Sequence, residues 1–232
     1  MEVVEDYPEM VKAVKKMILV DANLNGPERK LLARAYKKLI DARRKQLRYF
    51  CDIEKNPPDD DTDEQKQVER GNARTDALSE KQVEVRAIYR DILDVINEFL
   101  LPNANDQEAR VFYLNMKAGF YRDKVDLFGE DYRAESLKAS KMSYEEGFVI
   151  ATTQLNQSNP ARLFLVLNFA VFKFEVESLE DEARQMLEKA LENANSELGG
   201  NKVKGDTGAA LGLIQKQLTK WEPKNFVGDA AD

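Results

Sequence analysis

The 232 residues include 42 Asp and Glu against 35 Lys and Arg, and the net charge of −7 disfavours sequence-independent binding to nucleic acid or acidic membranes. With 43% hydrophobic and 33% charged residues, the composition fits a folded helical protein better than a disordered chain. The chain has no histidine and one cysteine, Cys51. An intrachain disulfide is therefore excluded, and the commonest metal ligand and general base is absent.

An apolar period of 3.6 residues runs through almost every long segment, and no segment alternates like a half-buried strand. The pattern predicts an all-α fold of about eight helices, at residues 5–20, 27–50, 77–101, 105–128, 132–154, 160–177, 179–198 and 207–221. Short connections favour antiparallel neighbours, so we expect an antiparallel helical array. We expect a single domain over residues 1–222, followed by a flexible C-terminal tail over residues 223–232.

The second predicted helix carries a basic stripe, which we define as Lys37, Arg44 and Arg48. Their offsets of seven and four residues place them within roughly 40° of one another around the helix. The apolar face lies roughly 120° away and consists of Leu32, Ala35, Tyr36, Leu39, Leu47 and Phe50. Arg43 falls on that apolar side, where we expect it to be paired. A solvated helix face and a phosphate receptor both carry such a stripe, and the pattern alone leaves both open.

Residues 56–64, with the sequence NPPDDDTDE, are acidic and predict a solvated surface loop. The run lacks the spaced glycine and terminal glutamate of an EF-hand loop. No Walker loop, no Gly-x-Ser-x-Gly elbow and no zinc signature occurs elsewhere. Cys51 has no histidine partner and is interpreted as a structural or incidental thiol. We therefore expect no catalytic residue, no metal site and no cofactor, and we do not expect an enzyme.

The N-terminus lacks the basic segment and apolar run of a secretory signal. The longest apolar stretches are too short to cross a bilayer, and one of them is interrupted by Asn168. We therefore expect no membrane partner and a cytoplasmic location, with the nucleus as a second compartment.

Three stretches, in this order, resemble the 14-3-3 family. Residues 29–48 read RKLLARAYKKLIDARRKQLR, residues 99–104 and 111–122 read FLLPNA and VFYLNMKAGFYR, and residues 159–175 read NPARLFLVLNFAVFKFE. They are similar to the third, fifth and seventh helices of that family. The resemblance covers about residues 5–221 and weakens in the last helix, which keeps mainly LTKW at residues 218–221. The family's first helix is expected to be largely missing.

The resemblance implies a cup of helices whose concave basic groove binds phosphoserine or phosphothreonine peptides of partner proteins. It implies a phosphate-binding set of Lys37, Arg44, Arg48 and Arg122. It implies a peptide-binding set of Leu167, Asn168, Val171, Glu175, Gln217 and Trp221. The expected function is that of a non-enzymatic adaptor in signal transduction. Arginine suits this role because its planar fork holds two phosphate oxygens.

The sequence departs from the family at the pocket itself. Asp123 stands where the family has a phosphate-holding tyrosine, and Asn115 stands where it has a lysine. In the last helix Gln217 replaces a backbone-binding asparagine and Lys220 a groove leucine. Asp123 is expected to repel a phosphate, to rotate away, or to pair with Arg44 or Lys124. We therefore expect weakened or altered phosphopeptide binding.

The residues that match the family's dimer interface also differ. Cross-dimer ion pairs of the family would here place Asp6 and Glu9 against Glu80 and Glu84, so four carboxylates would meet. Ala77 matches a tyrosine of that interface and offers less apolar area. We expect a weakened family-type homodimer, with a monomer or an atypical dimer as alternatives.

A second function fits part of the pattern. A helical scaffold similar to tetratricopeptide repeat proteins would bind unphosphorylated partners through the same concave surface. Neighbouring helices such as residues 168–175 and 181–194 fit it, although no 34-residue period repeats.

Overall fold

Helices account for most of the computed structural model, which describes residues 6–55, 64–128, 130–199 and 203–222. Within these ranges there are eight α-helices, one π-helical segment and no β-strand. The α-helices are α1 Tyr7–Val20, α2 Gly26–Lys55, α3 Glu64–Asp94, α4 Gln107–Phe128, α5 Glu130–Gln154, α6 Pro160–Glu175, α7 Glu180–Glu197 and α8 Gly205–Trp221. The π-helical segment Val95–Leu100 continues α3. The predicted all-α class is confirmed.

Local side-chain hydrogen bonds fix several helix starts. The Asn25 side chain accepts from the Glu28 N–H at 3.0 Å, and the Glu28 carboxylate accepts from the Asn25 N–H at 2.8 Å, a reciprocal capping box for α2. The Asn159 side chain accepts from the N–H groups of Ala161 and Arg162, with Pro160 in the first turn of α6. These caps explain why the predicted starts of α2 and α6 lie within one residue of the observed ones.

The start of α3 differs most from the prediction. The helix begins at Glu64, thirteen residues before the predicted residue 77, and α2 extends to Lys55 instead of residue 50. Residues 64–76 carry few apolar side chains, so no apolar period marks this helical stretch. Glu64 was therefore wrongly assigned to the acidic loop. Residues 56–63, the rest of that predicted loop, lie outside the described residues.

The chain divides into two compact units. Unit 1 comprises Met1–Ala109 and Phe120–Ser140, and unit 2 comprises Arg110–Gly119 and Lys141–Asp232. In unit 1, α2 and α3 share an apolar cluster of Ile40, Leu47, Leu78, Val85 and Tyr89. In unit 2, α6, α7 and α8 enclose a larger cluster that includes Leu163, Val166, Ala170, Leu187, Ile214 and Trp221. Each unit thus has an apolar core of its own, and the predicted tail over residues 223–232 lies outside the described residues.

Candidate functional site

The basic stripe and Arg122 lie on α2 and α4 within unit 1. The buried side chains Ile40 and Leu47 hold α2 against α3, which leaves the stripe on the remaining face of the helix. Phe120 packs edge-on against the buried ring of Tyr89, with ring centroids 6.2 Å apart. This contact anchors α4 two residues before Arg122. Apolar packing through α3 therefore positions both helices that carry arginines.

Asp123 lies between Arg44 and Arg122. Its Oδ2 is 4.0 Å from Nη1 of Arg44, and its Oδ1 is 3.5 Å from Nη2 of Arg122. The three side chains are 24%, 30% and 36% exposed for Arg44, Arg122 and Asp123. Two guanidinium groups from different helices thus share one anionic group at the surface of unit 1. Of the expected arrangements of Asp123, the pairing with Arg44 is confirmed, and the contact with Arg122 is additional.

Lys37 and Arg48 are exposed, and neither side chain forms a hydrogen bond or ion pair with another described residue. Arg43, by contrast, is half-buried and lies 3.9 Å from Glu84 of α3, and it also donates to Gln46. The predicted pairing of Arg43 is confirmed. The two exposed cations of the stripe are therefore available to an anionic ligand, whereas Arg43 is engaged within the fold.

Tyr36, next to Lys37, fixes the buried face of α2. Its hydroxyl donates to Oδ2 of Asp91 at 2.6 Å, and Lys15 of α1 pairs with the other oxygen of that carboxylate. Burial, followed by the hydrogen bond to Asp91, raises the pKa of Tyr36 far above its ordinary value. Helices α1, α2 and α3 are therefore joined through the carboxylate of Asp91.

In unit 2, Asn168 of α6 pairs with Asn115 of α4. Its Nδ2 donates to Oδ1 of Asn115 at 2.9 Å. The Asn168 carboxamide keeps its own oxygen as an acceptor. The sequence analysis noted only that Asn115 stands where the family has a lysine, and it missed this hydrogen bond. The only signal in the sequence was an asparagine at each of the two positions.

The other predicted peptide-binding residues of α6 differ in exposure. Leu167 is buried in the apolar cluster of unit 2, and Val171 is half-buried against the same cluster. Glu175 is exposed and forms no ion pair with another described residue. Its place in the peptide-binding set stays a prediction.

The predicted residues of α8 contribute mainly to packing. Trp221 is 7% exposed and stacks on Phe174 of α6, with ring centroids 4.2 Å apart and an angle of 4° between the planes. Arg184 of α7 donates to the Trp221 carbonyl at 2.6 Å. The Nε2 of Gln217 is buried and finds no hydrogen-bond partner among the described residues. Trp221 thus joins α6, α7 and α8.

The carboxylates at the predicted dimer surface are partly neutralised within the chain. Glu9 pairs with Lys12, and Glu84 pairs with Lys81 at 2.7 Å and with Arg43. Asp6 accepts from the Glu9 N–H as the N-cap of α1. Two of the four carboxylates expected to repel across an interface therefore have internal counter-ions.

Neither a metal centre nor a membrane span occurs in the described ranges. No group of three or more Cys, Asp and Glu side chains is arranged there to hold a metal ion, and no helix there is long and apolar enough to cross a bilayer. Cys51 is half-buried and packs against the apolar cluster of unit 1.

Comparison with known proteins identifies relatives along the whole chain. A family model described as 14-3-3 protein matches residues 1–222. The chain is 31% identical to 14-3-3 protein beta/alpha-A of Xenopus laevis, over 100% of this chain and 92% of the relative. It is 33% identical to 14-3-3-like protein 2 of Caenorhabditis elegans, over 95% and 87%. It is 31% identical to 14-3-3 protein eta of Homo sapiens, over 95% and 89%.

Proposed function

Since this chain belongs to the 14-3-3 family, we propose that it is a phosphopeptide-binding adaptor whose affinity for phosphate is lowered by Asp123. The family consists of non-enzymatic adaptors that bind phosphorylated partner proteins and form dimers. In this proposal Arg44 and Arg122 grip the phosphate, and Lys37 and Arg48 add positive charge beside them. We also propose a cytoplasmic location, with the nucleus as a second compartment.

The observation that carries the proposal is the contact of Arg44 and Arg122 with one shared carboxylate. Two guanidinium groups from separate helices that already hold an anionic group are positioned to hold a phosphate. Phosphorylation adds a charge of about −1.5 to −2 to a peptide, so charge distinguishes the modified peptide from its unmodified twin.

Asp123 opposes the same ligand. An incoming phosphate displaces the carboxylate from the two arginines or binds beside it at a repulsive distance. Lys37 and Arg48, which have no counter-ion among the described residues, offset part of this repulsion. Because Asp123 repels the phosphate and the two lysine and arginine side chains offset only part of this repulsion, phosphopeptides should bind more weakly than to a pocket with an uncharged residue at position 123.

Unit 2 supplies the proposed contacts to the peptide main chain. The free carbonyl oxygen of Asn168 accepts from a peptide N–H while its Nδ2 stays bonded to Asn115. Exposed Glu175 accepts from a peptide donor. Leu167, Val171, Gln217 and Trp221 complete the proposed peptide-binding set, with Trp221 acting mainly through its packing on Phe174.

A paired-peptide titration tests the function. The probes are a pool of fluorescein-labelled nine-residue peptides with a central phosphoserine and the unphosphorylated pool of the same sequences. We expect preference for the phosphorylated pool, and a loss of about tenfold or more in affinity for Arg44→Ala and for Arg122→Ala. Arg43→Ala is the matched control, because Arg43 is engaged with Glu84 and Gln46. Equal affinity for both pools, insensitive to Arg44 and Arg122, would instead favour a scaffold similar to tetratricopeptide repeat proteins.

We further propose that the family-type dimer is weakened in this chain. Asp6 and Glu80 lack the basic partners expected across the interface, although Glu9 and Glu84 are neutralised internally. Light scattering after gel filtration measures the assembly. A stable species of twice the 26.5 kDa chain mass at low micromolar concentration would contradict this proposal.

A further inference from the structure

Unit 1 contains a surface groove formed by α1, the end of α3 and the π-helical segment. It encloses about 270 Å³ and is lined by Lys15, Ile18, Leu19, Asp91, Asp94, Val95, Glu98 and Phe99. We call it the acidic–apolar groove. None of its residues belongs to the predicted phosphate-binding or peptide-binding sets.

Two large apolar side chains of this groove are exposed at the surface. Leu19 is 74% exposed and Phe99 is 39% exposed, and the neighbouring Val20 is 89% exposed. Large apolar side chains that cluster at one place on a surface mark interaction sites more often than single exposed ones. The floor is formed by the buried residues Ile18 and Val95.

A local change in helix geometry builds one wall of the groove. The N–H of Leu101 donates to the carbonyl of Ile96, five residues earlier, at 2.9 Å. This is the hydrogen-bond pattern of a π-helix, which occurs mostly as single turns within α-helices and frequently at functional sites. The π-helical segment Val95–Leu100 carries both Glu98 and Phe99 into the lining.

The charge at the rim is negative and partly uncompensated. Asp91 is engaged by Lys15 and Tyr36. The carboxylates of Asp94 and Glu98, both exposed, form no hydrogen bond or ion pair with another described residue. A groove with an apolar floor and two free carboxylates is complementary to a ligand that combines apolar and basic side chains.

We infer that the acidic–apolar groove docks a basic amphipathic peptide segment of a partner protein, in which one or two bulky apolar side chains are flanked by lysine or arginine. The volume of the groove lies below the usual 300–1,000 Å³ of small-molecule pockets, and it is large enough for one or two anchoring side chains of a peptide. A second copy of this acidic chain, with its net charge of −7, is a poorer electrostatic match. The groove would give the adaptor a contact that does not depend on phosphorylation.

Fluorescence anisotropy with a labelled peptide of sequence KKLFKLLKK tests the inference. We expect saturable binding to the full chain, and none to the acidic peptide EELFELLEE or to KKSSKSSKK, which lacks apolar anchors. Glu98→Lys should weaken binding about tenfold and Leu19→Ser about threefold to tenfold. Glu188→Lys, an equal charge reversal at an exposed site on α7, should change it less than about twofold.

The variants Glu98→Lys and Leu19→Ser alter exposed side chains, and circular dichroism melting confirms that each is folded. Arg44→Ala should leave binding of KKLFKLLKK unchanged, which separates this groove from the phosphate site. Equal weakening by Glu98→Lys and Glu188→Lys, equal binding of KKSSKSSKK, or the absence of saturation would overturn the inference. So would a dimer that both groove variants convert to a monomer, because a second copy would then be the occupant.

Discussion

Oδ2 of Asp123 lies 4.0 Å from Nη1 of Arg44, so α4 supplies a carboxylate to the guanidinium group proposed to grip phosphate. The same carboxylate contacts Arg122. Unit 1 therefore holds an internal anion on both arginines before any ligand arrives. The affinity for a phosphopeptide depends on how strongly that anion competes.

Asp123→Asn should tighten phosphopeptide binding about tenfold. Because Asp123 is 36% exposed, water screens its negative charge. Removing that charge at about 5 Å from a phosphate dianion should make the binding free energy more favourable by about 1–2 kcal/mol. Anisotropy titration with the phosphoserine pool measures the change, and the unphosphorylated pool should respond little. Asp181→Asn, at an exposed position on α7, is the control. Unchanged or weaker binding by Asp123→Asn would mean that the carboxylate chiefly holds the two arginines in place.

Tyr36→Phe should lower the free energy of unfolding by about 1–3 kcal/mol. The substitution keeps the buried ring but removes a hydrogen bond to a charged acceptor, Asp91, which joins α2 to α3. Urea denaturation followed by circular dichroism gives the difference. Tyr49→Phe serves for comparison, because the Tyr49 side chain is 64% exposed. Identical midpoints for the two variants would show that the Tyr36–Asp91 bond adds nothing to stability.

Alanine substitutions at two glycines of α8 should change the stability of unit 2 in opposite directions. A Cβ at Gly208 would lie 2.2 Å from the backbone oxygen of Val203, whereas a Cβ at Gly212 meets nothing within 4 Å. Gly208→Ala should therefore destabilise unit 2 by about 1–3 kcal/mol. Gly212→Ala should stabilise it by about 0.5–1 kcal/mol, since alanine is the better helix former. Thermal melting compares them, and a gain in stability for Gly208→Ala would contradict the observed packing.

The stability of unit 2 should fall at acidic pH because the carboxylate of Glu197 becomes protonated. The backbone N–H groups of Gln157 and Ser158 donate to its carboxylate at 3.2 and 2.6 Å. Hydrogen bonds from Ser158 are the largest cause that lowers the pKa of Glu197 below its ordinary value of 4.5. The ionised carboxylate therefore stabilises the fold above that ordinary value, and this contribution is lost as the pH falls through the lowered pKa.

Melting temperatures measured between pH 3 and pH 7 test this expectation. Glu197→Gln should melt below the natural protein at neutral pH, and the difference should shrink at the acid end. Glu192→Gln, on the exposed face of α7, should follow the natural protein throughout. A difference that stays constant over the whole range would exclude the carboxylate charge as its cause.

The sequence predicted the apolar faces better than the ends of the helices. Of the predicted apolar face of α2, five residues are buried and Phe50 is half-buried; the buried ones are Leu32, Ala35, Tyr36, Leu39 and Leu47. A period of 3.6 residues identifies such a face because burial depends on repeated side chains. The first half of α3 has few such side chains, and its helix could not be predicted from that period.

The candidate site was predictable in its residues and less so in its contacts. A resemblance at single positions identified Arg44, Arg122 and Asp123, but several arrangements of Asp123 stayed open. Its contacts depend on how α2 and α4 are each placed against α3, which the packing of Phe120 and Tyr89 helps to determine. The Asn115–Asn168 bond was missed for the same reason, since residues 53 positions apart must first be brought together.

The stacking of Trp221 on Phe174 gives this protein a natural optical reporter. Trp221 is the single tryptophan of the chain, and it lies in the apolar cluster of unit 2. Tryptophan fluorescence, excited at the red edge of the tryptophan absorption band, therefore reports the unfolding of unit 2 alone. Far-ultraviolet circular dichroism reports the helices of both units. Comparing the two signals during denaturation resolves whether the units unfold as one cooperative system or in succession, without any attached label.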